Sequence, residues 1–165
     1  MNGAFVHLAV NHIPVVGVPI GLLLLSAGVV RKSRELIQAG LVLLVLMALV
    51  TIVVFKSGGP AAHIVGDMTG VTRESIHTHA EAAEDVFGAT EVLGGTALLC
   101  LWLLGRPKGV PNALMALMLA GTLAISIWLG YVAHLGGLIR HPEIVAGVQA
   151  PPGEKAPSGI PAVNH

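Results

Sequence analysis

Four long apolar runs dominate this chain, and a protein of 165 residues has no interior large enough to hide them all from water. They cover about Phe5 to Val30, Leu36 to Phe55, His79 to Leu104 and Ala113 to Ile139. Each reaches the ~20 residues that a helix needs to cross ~30 Å of hydrocarbon. Charged residues make up 11% of the sequence, against about 25% in an ordinary soluble domain. Hydrophobic residues make up 54%, and mean hydropathy is +0.81. In lipid every backbone N–H and C=O must be satisfied inside its own segment. The expected fold is therefore all-α: an integral membrane four-helix bundle over residues 1–143, followed by a Pro/Gly-rich extramembrane tail over 144–165.

The connections differ in length. Arg31 to Glu35 and Gly105 to Asn112 read as tight turns, whereas Lys56 to Ile76 reads as a longer loop containing Gly58-Gly59-Pro60. In the first run, Asn11 is placed to cap a helix with Pro14 in its first turn; otherwise Pro14 interrupts a longer helix. No Lys or Arg precedes that run, and it is too long for a signal h-region, so it reads as a retained helix. Arg31, Lys32, Arg34, Arg106 and Lys108 crowd the two tight turns. The positive-inside rule then puts both turns in the cytoplasm and both termini outside.

The sequence excludes some functions. A net charge of zero gives no electrostatic case for nucleic acid. There is no phosphate-binding loop and no nucleophile–base motif. The lone Cys100 lies inside an apolar run and reads as a small buried hydrophobe.

Histidines carry the remaining chemistry. Five of the eight fall at the outer ends of the runs: His7, His12, His77, His79 and His134. Counting twenty residues from the cytoplasmic ends puts His12 and His134 near the outer hydrocarbon boundary, with His7, His77 and His79 one or two turns beyond. Ionisable groups at such depths are costly and mark functional sites. A first reading is a b-type haem held between two imidazoles, with His12 and either His79 or His134 as ligands. Gly17, Gly94, Gly95, Gly130, Gly136 and Gly137 would give the macrocycle room, and Arg140 or Arg73 would neutralise its propionates. A second is a non-haem metal on His12, His79 and His134. A third is a proton path along His77, Glu81, Glu84 and Glu91, which share one helix face, with Glu91 roughly two turns inside the boundary. Against all three stands a structural role, in which these groups cap helices, pair with arginines and favour the positive end of the third helix's dipole.

The opening HLAVNHIPVVGVPIGLLLL and the closing YVAHLGGLIRHPEI resemble the end motifs of a family of small bacterial four-helix membrane proteins of unknown function. The stretch SGGPAAHIVGDMTGVTRESIHTHAEAAE resembles the loop of one subgroup. The likeness covers residues 5–143. It implies a haem-binding, cytochrome b-like protein associated with electron-transfer modules, with family histidines at His7, His12, His134 and His141; His79 matches only the subgroup. The expected function is thus a small electron-transfer subunit of a respiratory complex in the bacterial inner membrane. It would bind one haem near the periplasmic face and exchange electrons with a quinol or a periplasmic cytochrome. The alternative of another class is a cofactor-free subunit that braces a membrane assembly.

Overall fold

The computed structural model describes residues 3–66 and 71–140, of which 90% are helical and none lies in a strand. The chain order is α1 (Gly3–Val10), α2 (His12–Arg31), α3 (Arg34–Val65), α4 (Arg73–Leu104) and α5 (Asn112–Arg140). Four helices are long and apolar enough to cross a membrane, with α1 and α2 together forming the first, Ala4–Arg31. The tail 144–165 and His141 lie outside the described residues, and Arg140 is described by its backbone alone.

The helices outrun the apolar segments that announce them. α1 and α2 are one helical path: Asn11 keeps right-handed helical angles, its amide donates to His7 O at 2.9 Å, and its side chain caps nothing. The cap expected at Asn11 is therefore replaced by the other arrangement, with Pro14 inside a longer helix. Pro14 has no N–H to offer Val10, which accounts for the break in the ladder at Asn11. α3 likewise runs through Gly58-Gly59-Pro60 to Val65, so residues 56–65 and 73–76 of the expected 56–76 loop are helical. Pro60 frees the carbonyl of Lys56, an exposed position, while α1 packs along this half of α3, remote from the tight turns, and supports it.

The ends are set by local chemistry. Ser33 and Thr72 cap α3 and α4 by accepting from Leu36 N and Ser75 N. Each is followed by Arg-Glu, which puts a carboxylate in a first helical turn, where the dipole favours it. α2 ends in a left-handed Lys32, with Ser33 N bonded back to Gly28 O. One residue thus closes α2 and the next caps α3.

In sequence order the helices form a square. α2 touches α3 and α5, α4 touches α3 and α5, and the diagonal pairs do not meet. Lipid offers no hydrophobic drive for helices to associate, so close approach at small residues has to supply it. The α2–α3 seam does this by alternation. Gly17 faces Met47, Gly21 faces Leu44, Gly40 faces Leu25 and Gly28 faces Ile37. In each pair one helix gives a large side chain and its antiparallel neighbour a bare backbone. A Cβ added to Gly21 would come 2.8 Å from Leu44 Cδ2, and one on Gly40 2.9 Å from Leu25 Cγ. Gly94 of α4 meets Ala48 of α3 in the same way, and Phe55 stacks on Phe87 further out with ring centroids 4.3 Å apart.

Gly94→Leu is expected to lower stability by about 2 kcal/mol, because the seam has no room for the branch. Gly95→Leu, at a neighbour whose Cβ would meet nothing within 4 Å, should change it by less than about 0.5 kcal/mol. Equilibrium unfolding of the purified protein in mixed micelles measures both.

Candidate functional site

Burial separates the histidines. His12, His63, His77 and His134 are exposed, whereas His7 and His79 are half-buried at helix seams. Seven-residue spacing explains the division. His7 leads the series Pro14, Gly21, Gly28, and His79 leads Val86, Leu93, Cys100, all of them buried. His134 belongs with Ile127, Ala120 and Ala113, which are exposed. A heptad stripe stays on one face of a packed helix, so its outermost member inherits the inward orientation.

His7 and His79 are held by the same device on two different hairpins. His7 of α1 lies over Gly58 of α3, where a Cβ would come 3.7 Å from its Cε1, and its Nδ1 is 3.0 Å from Val54 O. His79 of α4 lies over Gly136 of α5, where a Cβ would come 3.2 Å from its Cε1, and its Nδ1 is 3.1 Å from Val132 O. In both, the carbonyl belongs to the residue four before the glycine. At Gly136 a Cβ would press on the imidazole, so the missing side chain makes room for it; at Gly58 a Cβ would make ordinary contact with the ring. Ser57 adds to the first site, with its hydroxyl donating to Val54 O at 2.9 Å and lying 3.3 Å from His7 Nδ1.

This geometry fixes the tautomers. A carbonyl only accepts, so Nδ1 carries the proton in each ring. When the ring is neutral, Nε2 keeps its lone pair, and neither Nε2 has a hydrogen-bond partner among the described residues. An imidazole oriented by Nδ1–H on a backbone carbonyl is the usual state of a ligating histidine. The two rings stand at seams on opposite sides of the bundle. They are not level. Ala48 meets Gly94 and Phe55 meets Phe87, so Gly58 faces position 84 of α4. That puts His79 about five residues, roughly 7.5 Å, further out than His7.

The other sequence candidates are dispersed. His12 and His134, favoured by depth, lie on the outside of the bundle. Among the described residues no three His, Cys, Asp or Glu side chains form a group that could hold a metal, so His12, His79 and His134 do not converge. His77 and Glu81 pair at 3.2 Å with side chains 72% and 68% exposed. With exposed Glu84 they line the outer surface of α4 rather than an interior channel. Glu91 is half-buried, and its Oε1 is screened from solvent with no hydrogen-bond partner among the described residues. The glycines read as room for a macrocycle do not open an interior space. Gly17, Gly94 and Gly136 are filled by Met47, Ala48 and His79, and Gly95, Gly130 and Gly137 are exposed. Close packing fills the space that the buried glycines leave, because in lipid that packing is what holds helices together.

Gly58 and Val54 are the parts of the site that the sequence hid. Their signal was a histidine on the first arm of a hairpin with a glycine at matching depth on the second, occurring twice. Comparisons with family models, curated proteins and solved structures return no match for this chain.

The pair has a direct signature. Imidazole ¹⁵N spectra of the detergent-solubilised protein at neutral pH are expected to show His7 and His79 locked as Nδ1–H tautomers. His12 and His134 should show averaged shifts. Gly136→Val should release His79 into the averaged class and leave His7 unchanged.

Proposed function

We propose that this chain is a small membrane electron-transfer subunit that binds one b-type haem at the end of the bundle remote from the tight turns. In this reading the membrane is the bacterial inner membrane, both termini are outside and the site is near the periplasmic face. The observation that carries the reading is the matched pair His7 and His79, with Nδ1 spent on a backbone carbonyl and Nε2 free. Two neutral imidazoles from separate hairpins are the donor set that b-type haem uses, and a ring anchored at Nδ1 is a better base at Nε2.

His7 and His79 would be the ligands. Val54 O and Val132 O orient the two rings, and a haem held by both would need the hairpin ends to part, because the packed seams leave no slot between rings about 7.5 Å apart in depth. Haem bound there supplies one-electron chemistry, and the protein supplies orientation and a low dielectric. His12 and His134, on the outer surface, fit headgroup contact better than ligation. Arg140, at the end of α5, remains the candidate for propionate charge. The exposed acidic stripe on α4 and the aqueous end of α3 are available to other subunits of a redox complex. A quinol or a periplasmic cytochrome is the electron partner this position implies.

The same two bonds favour a second reading. Each ties the outer ends of one hairpin together without any cofactor, which suits a bracing subunit of a membrane assembly.

Spectra separate the two. Protein expressed with ample haem is expected to show Soret and α bands that sharpen on dithionite reduction. His7→Ala and His79→Ala should each abolish the low-spin spectrum, while the double variant His12→Ala/His134→Ala keeps it. A featureless spectrum of folded wild-type protein would leave the bracing role standing and end the haem reading.

A further inference from the structure

At the opposite end of the bundle five cations meet one carboxylate. Arg31, Lys32, Arg34, Arg106 and Lys108 are all exposed, Glu35 is the only acid in or beside the two turns, and none of the five is paired with a carboxylate among the described residues. Two of the cations are already positioned by other contacts. Arg34 donates to Leu104 O at 2.7 Å, which ties the start of α3 to the end of α4 and joins the two turns. Arg106 lies over the Trp102 ring at 4.2 Å from its centroid, which leaves the N–H edge of the guanidinium unspent.

Beside this stack is an open depression of about 390 Å³ walled by Trp102, Leu103 and Pro107, with Arg106 and Lys108 at its rim. From it the exposed side chains of Trp102, Leu99 and Leu98 run up the outer face of α4 along the hydrocarbon. A cationic rim, an aromatic ring at the interface and an apolar track leading inward match one amphiphile: a negatively charged headgroup on an acyl chain. A soluble anion would have use for the rim alone.

We propose that this depression binds an anionic phospholipid, with Arg106 and Lys108 on its phosphate and one acyl chain along Trp102, Leu99 and Leu98. The site is independent of the histidine pair and its cofactor. Zwitterionic lipid carries an ammonium that the unpaired cations repel, so selectivity lies in headgroup charge. Because Arg106 is stacked in advance, little side-chain freedom is lost on binding.

Trp102 reports on the site when the other tryptophan is replaced. The full chain carrying Trp128→Phe is reconstituted into vesicles of dibrominated phosphatidylglycerol mixed with ordinary phosphatidylcholine, and into the reverse mixture. Quenching of Trp102 by the brominated anionic lipid is expected to exceed that by the brominated zwitterionic lipid about threefold at equal mole fraction. Arg106→Gln/Lys108→Gln should bring the ratio to about one. Arg31→Gln/Lys32→Gln, on the other turn, should leave most of it. Equal quenching by both lipids in the unmodified site overturns the proposal. Equal loss in the two double variants also overturns it, since that is diffuse attraction rather than a site. Added inorganic phosphate that erases the preference at constant ionic strength would identify a soluble-anion site instead. Unchanged far-ultraviolet circular dichroism in each variant keeps misfolding out of the comparison.

Discussion

Antiparallel helices in this protein approach one another at glycine, and almost everything else follows from that. Lipid is as apolar as leucine, so a buried leucine gains little simply by leaving it; what it gains is dispersion against a surface that fits. The α2–α3 seam secures the fit by opposing each large side chain to a backbone. Such a seam tolerates no slippage, because a shift of one residue sets Leu44 or Met47 against side chains instead of against Gly21 and Gly17. Register is thereby fixed sterically, and with it the depth of every residue at the ends.

His7 and His79 extend this rule to polar groups. Each occupies the large-residue place of a seam, with Gly58 or Gly136 opposite. A half-buried imidazole needs a partner, and the exposed helical backbone beside the glycine provides one. The bundle thus repeats one hairpin plan: a histidine near the outer end of the first arm, a basic turn, and a receiving glycine on the second arm. Two like groups in two like settings make a matched pair, which one isolated interfacial histidine could not.

The four spanning segments were legible because ~20 apolar residues in a row have almost no other physical use. Their true lengths were not. Gly58-Gly59-Pro60 has the composition of a turn, yet it is helical, and α1 packs against α3 there. Depth along the chain brings five histidines into consideration, but depth says nothing about direction around a helix. His12 and His134 are favoured on depth and lie on the outside of the bundle; His7, placed one or two turns beyond the boundary, lies at a seam. The heptad series below each histidine held that information. The glycines were recognised as places of close approach, but what fills them depends on the facing helix, which one segment's sequence does not contain.

The buried threonines have a consequence for how such a protein is built. Thr51, Thr90 and Thr122 each donate to the carbonyl four residues earlier in their own helix, at 2.7, 2.7 and 2.6 Å. Their hydroxyls are therefore satisfied before any neighbour arrives, and a single helix entering the bilayer carries them at little cost. The imidazoles of His7 and His79 are different: the carbonyls they bond belong to helices made later in the chain. Until the second arm of each hairpin is inserted, its histidine has only water or headgroups to turn to, so the completion of each hairpin is the moment at which that ring is drawn into place.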